Sequence, residues 1–444
     1  MQVTEFLSGP DDQIYVLKGY AGTGKTTAIA ALVSALEGTR VKAVLLAPTG
    51  RAAKVISGYS GKPAFTIHKK IYFPGKSGAG ISFTRQQNKF KNTVFIVDEA
   101  SMISDKADVA GRDSLLDDLI LYVYSSPGCK LILLGDTAQL PPVGMDISPA
   151  LDTRALGSGY GMDIVSIELD EVMRQENESG ILHNATLLRE LLRDDFLPEF
   201  RFRLKGFRDI VRLTDGYEIQ DAIESAYGNY SIEDTAFIVR SNKRAYLYNQ
   251  QIRTRVLDRD NEIATGDFLM VVRNNYFWLK ETDEAGFIAN GDIIEVLEIF
   301  SMKELYGFRF ARVKVRMIDY PNQSPLETIL LLDTLASESP ALTQEQHERL
   351  YREVMEDYAE ERAQYRKLQK MRENEYFNAL QVKFSYAITC HKSQGGQWQT
   401  VFVEHPYLPD GISREYIRWL YTAVTRAREK LYLIGFPDEF FTND

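Results

Sequence analysis

The sequence G-Y-A-G-T-G-K-T at 19–26 constrains the fold more than any other stretch of the chain. It follows an apolar run at 14–18 and precedes a helical pattern at 26–37. In that context the glycines let backbone N–H groups surround phosphate oxygens at a helix N-terminus. A glycine-rich turn without a ligand is the alternative, but it does not require a lysine and a hydroxyl beside the helix. We therefore predict a phosphate-binding loop between a strand and a helix.

Short apolar runs recur along the chain and alternate with helical patterns. The runs lack polar alternation, which is typical of strands buried on both faces of a parallel sheet. Alternating strands and helices predict an α/β fold with three layers. Further apolar runs lie at 42–47, 93–97, 130–134, 236–240, 400–404 and 430–434, and helical patterns lie at 50–57, 179–193 and 244–257.

Two segments interrupt this alternation. Residues 72–92 are rich in Gly and Ser and then polar, which predicts a small hairpin insertion. Residues 260–335 contain runs that alternate apolar and polar side chains, which predicts a small antiparallel barrel. A charged helix is predicted from residue 343 to about residue 380. A chain of 444 residues fits about three domains at roughly 150 residues each.

Composition narrows the class of protein. No apolar run approaches the roughly 20 residues that span a bilayer, and the N-terminus has no basic start with an apolar core. The two cysteines are too few for a disulfide framework. We expect a cytoplasmic protein without a membrane partner. The formal net charge of −10 argues against non-specific coating of nucleic acid but does not exclude a local basic groove.

The residues suited to phosphate chemistry follow the apolar runs. Lys25 is predicted to reach the β- and γ-phosphates of a nucleotide, and Thr26 to ligate Mg²⁺. After the run at 93–97, Asp98 is predicted to hold the metal through water and Glu99 to polarise the attacking water. Two loop acids that cap a helix are the alternative. The predicted nucleotide-binding residues are Gly19, Ala21, Gly22, Thr23, Gly24, Lys25, Thr26 and Thr27.

Three further side chains complete the predicted phosphate site. Gln139 in L-L-G-D-T-A-Q-L-P-P-V would place an amide near the γ-phosphate. Arg174 and Arg426 are candidate arginine fingers, which stabilise charge on the transferred phosphoryl group. A glutamine in a turn is usually solvated, and an isolated helical arginine usually forms a surface ion pair. Only the order of the motifs favours the catalytic interpretation.

That order resembles superfamily 1 helicases of the RecD/Dda group. The resemblance implies two RecA-like motor domains with a hairpin and an SH3-like barrel inserted, divided as 1–174, then 175–258 with 379–444, and 259–378 for the barrel. The matching series is G-Y-A-G-T-G-K-T-T, L-A-P-T-G-R-A-A, F-T-I-H-K, V-D-E-A-S, G-D-T-A-Q-L-P, L-D-E-V-M-R-Q, A-I-T-C-H-K-S-Q-G and Y-T-A-V-T-R-A-R.

The resemblance also implies an activity. It is that of a 5′→3′ translocase that uses ATP and Mg²⁺ to move on single-stranded DNA and to open forked duplex DNA. A monomer is expected, with partners among replication or recombination proteins. The family's adenine-reading glutamine, on a helix before the phosphate loop, has no predicted counterpart, because the chain begins too late for that helix. The implied ATPase centre comprises Lys25, Thr26, Asp98, Glu99, Gln139, Arg174 and Arg426, with Gly395 near the phosphates.

A strand-binding surface is predicted on loops that follow strands. Hydroxyls, amides and cations suit phosphate backbones, and aromatic rings suit bases. Each of these residues is alternatively a solvated loop residue, and Phe83, a candidate wedge at the fork, is alternatively packed within its hairpin. The residues are Pro48, Thr49, Arg51, Thr66, His68, Lys69, Phe83, Ser241, Asn242, Lys243, Thr389, His391, Lys392 and Ser393.

Three other functions share parts of this pattern. An RNA helicase of the same superfamily would differ in its preference for the 2′-OH. An ATP-gated nucleic-acid clamp or remodelling adaptor would grip DNA without separating its strands. A small-molecule kinase with the same phosphate loop would not need H-K-S-Q-G or two widely separated arginines. No second constellation predicts a nuclease.

Overall fold

The computed structural model describes residues 2–9, 13–77, 80–106, 114–171, 179–193, 199–279, 286–409 and 411–442. The chain divides into two compact units. The first unit comprises Met1–Tyr72, Arg85–Ile238 and Cys390–Asp444, and the second comprises Phe73–Thr84 and Val239–Thr389.

Helices and strands alternate along the N-terminal half of the chain, as the apolar runs predict. In chain order they are α1 (Gln2–Ser8), β1 (Gln13–Gly19), α2 (Lys25–Leu36), β2 (Lys42–Ala47), α3 (Gly50–Ser60), β3 (Ala64–Thr66), α4 (Ile67–Ile71), β4 (Tyr72–Ser77), β5 (Gly80–Arg85), β6 (Thr93–Val97), α5 (Leu115–Tyr124), β7 (Lys130–Gly135), α6 (Thr153–Tyr160), β8 (Asp163–Leu169), α7 (Gly180–Leu191), β9 (Ile210–Leu213) and α8 (Gly216–Asn229).

The remaining elements include the second unit's strands and helices. They are β10 (Thr235–Val239), α9 (Asn242–Gln251), β11 (Phe268–Val271), β12 (Ile293–Leu305), β13 (Phe308–Met317), β14 (Leu326–Leu331), α10 (Asp333–Ala336), α11 (Gln344–Glu356), α12 (Gln364–Arg372), β15 (Leu380–Phe384), β16 (Ala387–Thr389), α13 (Cys390–Ser393), β17 (Trp398–Glu404), α14 (Arg414–Val424) and β18 (Ala427–Ile434).

A parallel sheet of six strands, the first sheet, organises the N-terminal part of the first unit. Its order is β3-β2-β6-β7-β1-β8. Successive side chains of each central strand enter opposite apolar clusters, so that Val16 and Phe95 pack on one face and Tyr15 and Ile96 on the other. Both faces are therefore buried, which explains why these strands carry uninterrupted apolar runs.

A second parallel sheet in the first unit joins β10, β17, β18 and β9 in that order. The rings of Phe237, Phe402 and Tyr432 stack across three of these strands, with centroids 4.3 and 4.7 Å apart. The predicted α/β fold with two RecA-like parallel sheets is confirmed.

The second unit is built on a closed barrel of β11, β12, β13, β14 and β15. The predicted range of 260–335 supplies four of these strands, and β15 closes the barrel by pairing with β11 and β14. The predicted barrel is thus confirmed, with one strand added by a segment that follows the helices. Strands β4 and β5 form the predicted hairpin. The predicted domain boundaries stay a prediction.

The predicted charged helix from residue 343 to about 380 is wrong as a single element. Helix α11 ends at Glu356 and α12 begins at Gln364. One straight helix of that length would extend roughly 55 Å, far past a small barrel. The turn lets Leu350 of α11 and Met371 of α12 enter the same apolar cluster as Phe310 of the barrel.

Within the described ranges, no helix has both the length and the apolar character to cross a bilayer. The same residues contain no group of three or more His, Cys, Asp or Glu side chains placed to hold a metal ion.

A buried ion network ties the segment that follows α9 to the start of the barrel inside the second unit. Arg253 is 2% exposed, and its guanidinium donates two hydrogen bonds to Asp267, at 3.1 and 3.0 Å. Arg259 and the hydroxyl of Tyr386 also donate to Asp267, at 3.1 and 2.9 Å. One carboxylate therefore compensates two guanidinium groups, and its loss would leave a buried positive charge.

We predict that Asp267→Ala lowers the free energy of unfolding of the second unit by about 3–5 kcal/mol, the cost of removing one partner from a buried ion pair. Urea denaturation monitored by circular dichroism measures the change. Glu338→Ala is the matched control, since it breaks the exposed pair with Lys243 and should change stability by less than about 1 kcal/mol. Equal losses in the two variants would contradict the role of the network.

Candidate nucleotide site

The loop between β1 and α2 has the backbone that its glycines predict. Gly22 and Gly24 have φ of 79° and 84°, in the left-handed region that residues with a Cβ rarely adopt. A Cβ added to Gly19 would lie 2.8 Å from Thr23 Oγ1 and 3.0 Å from Lys25 Cγ. The loop therefore needs glycine at these three positions for its curvature and its close packing.

Lys25 is folded back onto its own loop. Its ammonium donates to the carbonyl oxygens of Gly19 and Tyr20, at 2.5 and 2.9 Å. The hydroxyl of Thr23 is buried and donates to Tyr20 O at 2.8 Å. Thr26 is half-buried and Thr27 is exposed. The ammonium of Lys25 is thus held beside the loop by neutral carbonyl acceptors. An anionic ligand would replace these acceptors.

The carboxylate pair follows β6, as the sequence predicts. Desolvation and the neighbouring charge of Glu99 raise the pKa of Asp98 to about 6, against the opposing effect of Lys25. Asp98 Oδ1 accepts a hydrogen bond from the Glu99 amide at 2.9 Å. Glu99 itself has φ of 54°, which costs a non-glycine residue about 1–3 kcal/mol. The fold thus holds two close carboxylates near Lys25, and the backbone is strained at Glu99.

The loop after β7 carries the predicted glutamine. Gln139 is 5% exposed, and its Oε1 is buried without a hydrogen-bond partner among the described residues. Asp136, three residues earlier, is 1% exposed and accepts a hydrogen bond from the Ala138 amide at 2.9 Å. A buried amide oxygen with no partner is costly, so this side chain is placed for a ligand or a water.

Helix α14, which packs beside the second sheet, reaches the phosphate loop of the first sheet through Tyr421. The Ala21 amide donates to the Tyr421 hydroxyl at 2.9 Å, and that hydroxyl donates to Asp136 Oδ2 at 2.7 Å. Burial and the charge of Asp136 raise the pKa of Tyr421 well above its usual range. One side chain therefore links the phosphate loop, the loop after β7 and α14.

Two more hydrogen bonds fasten the loop after β7 to the second sheet's segments. The Leu140 amide donates to Thr422 Oγ1 at 2.9 Å, and Gln394 Nε2 donates to Leu140 O at 2.6 Å. Sequence reasoning missed Tyr421 and Asp136 as site residues. Both lie inside the motifs G-D-T-A-Q-L-P and Y-T-A-V-T-R-A-R, but no local pattern singles them out.

Arg426 does not lie free at the phosphate loop. It is 3% exposed, and its Nε, Nη1 and Nη2 donate to Thr422 O, Gly396 O and Thr425 Oγ1, at 3.0, 3.1 and 3.2 Å. All three acceptors belong to the second sheet's own segments, so these bonds hold the guanidinium there and leave one N–H on each of Nη1 and Nη2 for another acceptor. Arg174 lies outside the described residues. The assignment of both arginines as fingers stays a prediction.

Gly395 packs against the start of α3. It has φ of 73°, and a Cβ there would lie 3.0 Å from Ala52 Cβ and 3.1 Å from Thr49 Oγ1. Next to it, the guanidinium of Arg51 lies over the Trp398 ring, 4.0 Å from its centroid. These contacts bring the predicted strand-facing ends of the two sheets together. The predicted proximity of Gly395 to phosphate stays a prediction.

The other strand-facing residues of the first unit occupy helix starts. Thr49 caps α3 by accepting from the Ala52 amide, and Pro48 precedes it. Thr66 is 5% exposed and caps α4, which carries half-buried His68 and Lys69. The hydroxyls of Thr49 and Thr66 are thus placed by helix capping, a common role of Thr and Ser at helix N-termini.

On α13, the three predicted residues have different environments. His391 is exposed and Lys392 is half-buried. Ser393 is fully buried, and its hydroxyl donates to Cys390 O at 2.7 Å. Ser393 therefore shapes the turn rather than presenting a hydroxyl to solvent, and only His391 and Lys392 of this set face outwards in part.

The second unit holds four predicted strand-facing residues. Ser241 caps α9 by accepting from the Arg244 amide at 3.2 Å, and Asn242 begins that helix. Lys243 is exposed and paired with Glu338 at 3.5 Å. Thr389 ends β16 and is half-buried. Phe83 lies on β5, but its side chain is outside the described part of the structure.

The chain does have a helix before the phosphate loop, contrary to the expectation that it begins too late for one. Helix α1 spans Gln2–Ser8 and buries Phe6 against Tyr15 of β1, with ring centroids 5.3 Å apart. The described residues do not include the side chain of Gln2, so adenine recognition by it stays open.

These residues fit a nucleoside triphosphate with a divalent cation. The loop offers backbone N–H groups at a helix N-terminus, and Lys25 supplies a positive charge. Thr26 and Asp98 are suitable oxygen ligands for Mg²⁺. The orphaned Oε1 of Gln139 supplies a further unmet polar atom beside the same edge of the first sheet.

Family models match two segments of the chain. An AAA domain model matches residues 2–194, and a UvrD-like helicase C-terminal domain model matches residues 384–434. The first covers the first sheet with its phosphate loop, and the second covers β17, α14 and β18. The two matches therefore fall on the two sheets that α14 joins.

Three relatives illustrate the similarity. An uncharacterised protein of Acanthamoeba polyphaga mimivirus is 25% identical over 97% of both chains. The ATP-dependent RecD2 DNA helicase of Deinococcus radiodurans is 31% identical over 39% of this chain and 21% of its own length. The ATP-dependent DNA helicase dda of phage T4 is 26% identical over 64% of this chain and 62% of its own length. The chain thus spans less than two thirds of each named helicase.

A solved Pif1 helicase from Bacteroides, in complex with ADP-AlF3 and ssDNA, aligns over 100% of this chain and 94% of that one, with 16% identity and a TM-score of 0.48. The resemblance rests instead on the matched domains and on the named relatives. The matched AAA domain, the matched UvrD-like helicase C-terminal domain and the similarity to the RecD2 and Dda helicases support a superfamily 1 helicase of the RecD/Dda type.

Proposed function

We propose that this chain is an ATP-dependent DNA helicase that moves 5′→3′ along single-stranded DNA and separates the duplex ahead of it. The observation that carries the proposal is the Tyr421 hydroxyl, which joins the Ala21 amide to Asp136. Because α14 contacts the phosphate loop directly, a change at that loop is transmitted to the second sheet. A motor needs that connection, and a phosphate-binding enzyme without movement does not.

Members of this family hydrolyse ATP with Mg²⁺. In this chain Lys25 would bind the β- and γ-phosphates, and Thr26 and Asp98 would hold the cation. Mg²⁺ supplies charge neutralisation on the phosphates when it is bound. Glu99 would polarise the attacking water and take its proton, and the Gln139 amide would orient that water.

Two groups of residues would contact the DNA strand, one at the start of α3 and one on α13. They lie where α3 packs against the segment after α13. Thr49 and Arg51 lie at the start of α3, and His391 and Lys392 lie on α13. The packing of Gly395 on Thr49 supports a single surface for these two sets. Cations and hydroxyls on such a surface contact the backbone without reading sequence. The negative overall charge does not oppose this, because the surface is local.

We further propose that the motor comprises residues 1–174 and, as a second domain, 175–258 with 379–444, while 259–378 forms the inserted barrel. The hairpin of β4 and β5 would meet the fork, with Phe83 as its wedge. DNA rather than RNA is the proposed strand, since the named relatives are DNA helicases.

A gel assay with forked DNA tests the function. We expect ATP-dependent displacement from a duplex with a 5′ tail and little from one with a 3′ tail. Displacement from the 3′-tailed substrate alone would refute the direction. ATP-dependent binding without a displaced strand would indicate a clamp, and displacement of RNA duplexes alone would indicate an RNA helicase.

Lys25→Ala should lower ATP turnover at least about 100-fold, because it removes a preorganised charge from the phosphates. Binding of single-stranded DNA, measured by fluorescence anisotropy, should stay near the wild-type value. Lys42→Ala, at an exposed lysine at the start of β2, is the matched control and should leave turnover intact. Wild-type turnover in Lys25→Ala would show that the phosphate site is misassigned.

Tyr421→Phe should lower the free energy of unfolding by about 1–3 kcal/mol, because the buried carboxylate of Asp136 loses a donor. We also expect DNA to stimulate ATP turnover less in this variant, while the KM for ATP changes little. Tyr432→Phe serves as control, since its ring stacks on Phe402 and its hydroxyl bonds to none of the described residues. If both variants behaved alike, the bridge from the loop to α14 would have no role in coupling.

A further inference from the structure

Helix α7 carries a charged residue at a position where its pattern predicts an apolar one. Ile181, Ala185 and Leu188 form the helix's buried stripe. Arg189 lies four residues after Ala185, on the same side of the helix, and is only 7% exposed. A guanidinium group is therefore buried where an aliphatic side chain would satisfy the packing.

Among the residues that the structure describes, no acid compensates the burial of Arg189. Its guanidinium carbon lies 4.6 Å from the centroid of the Tyr20 ring, and its Nη1 reaches Asp170 O at 3.4 Å. Its Nε is buried and has no hydrogen-bond partner, and it forms no ion pair with any carboxylate in the described part of the chain. Buried charges in proteins are ordinarily paired.

The cation–π contact with Tyr20 does not offset that burial. The attraction between a cation and an aromatic face is smaller than the free energy needed to take a guanidinium group out of water, even after the surroundings relax. Because the cation–π contact contributes less than the burial of Arg189 costs, we expect an anionic partner to bind beside the guanidinium group.

Arg189 lies at the phosphate loop. Tyr20 is the second residue of that loop, and its hydroxyl donates to Glu168 at 2.6 Å. The charge of Arg189 also lowers the pKa of Tyr421, against burial and Asp136, which raise it. Tyr421 accepts the Ala21 amide. The guanidinium thus lies over the ring of a residue of the phosphate loop, and its charge acts on a second side chain that hydrogen-bonds to that loop.

The neighbouring arginines differ from Arg189 in this respect. Arg193 shares the Tyr20 ring at 5.5 Å, but it is exposed, and its interactions with Tyr20, Glu168 and Asp170 raise its pKa. Arg426 donates from all three of its guanidinium nitrogens within its own segments. Neither therefore combines deep burial with a guanidinium nitrogen that has no partner.

We propose that Arg189 is a further catalytic residue, which donates from Nε and Nη to the terminal phosphate of ATP. The inference rests on the proposed function and adds to it a residue that α7 supplies. In the reaction, water oxygen bonds to the γ-phosphorus while the bond between that phosphorus and the β–γ bridging oxygen breaks, and ADP leaves with the electron pair. Arg189 moves no proton; it stabilises the negative charge that develops on the phosphoryl oxygens.

The test compares Arg189→Ala and Arg189→Lys with Arg193→Ala. We expect both Arg189 variants to lower kcat by about 10²- to 10³-fold, the scale for one preorganised donor. A donor that acts in the transition state leaves ground-state affinity nearly intact, so the Kd for a fluorescent ADP should change by less than about threefold. The gain in affinity from adding aluminium fluoride to ADP should disappear. Arg193→Ala should resemble the wild type in all three measurements.

Arg189→Lys keeps the buried positive charge, so it separates catalysis from folding. A normal kcat and a normal aluminium fluoride effect in both Arg189 variants would overturn the proposal. So would a loss confined to Arg189→Ala that weakens ADP binding and lowers the free energy of unfolding together, since that indicates a structural role. Failure of the wild type to hydrolyse ATP would instead refute the proposed function, independently of Arg189.

Discussion

The hydrogen bonds that Tyr421 makes with Ala21 and Asp136 bring together elements that the two parallel sheets position separately. The first sheet supplies the phosphate loop and the carboxylates at the carboxyl ends of adjacent strands, where backbone donors and loops meet in any parallel sheet. The second sheet supplies α14, whose Tyr421 and Thr422 touch two of those loops. Without this contact, each sheet would carry only half of a site.

Much of the fold follows from local patterns. Uninterrupted apolar runs predict the buried parallel strands, and the glycine loop predicts its own curvature, because both depend on residues close in sequence. The break between α11 and α12 was not predictable in the same way. The sequence there stays charged and helical in character, and only the size of the barrel requires the chain to turn.

The residues of the candidate site likewise fall into two groups, those that local motifs predict and those that depend on contacts distant in sequence. Lys25, Asp98 and Gln139 were predictable because each lies in a motif whose chemistry depends on its neighbours. The Tyr421 contact joins residues 400 positions apart, so no local pattern indicates it. Ser393 and Arg426 were predicted from motif membership alone, and the structure gives their polar atoms partners within their own segments. The sequence does single out Arg189, because this arginine interrupts the apolar stripe of α7. The phosphate loop that it faces is distant in sequence, so no local pattern indicates that neighbour.

The distribution of unmet polar groups bears on how the proposed motor would respond to ATP. Arg189 Nε and Gln139 Oε1 are both buried without partners among the described residues. Each raises the free energy of this arrangement, whereas Tyr421, Thr422 and Gln394 lower it through their hydrogen bonds. A ligand shifts such an equilibrium only by its difference in affinity between the two states. Under the proposed function, a triphosphate that hydrogen-bonds to these groups would stabilise the contact between α14 and the phosphate loop, and its hydrolysis would remove that stabilisation. The same buried groups would therefore make this contact depend on the nucleotide.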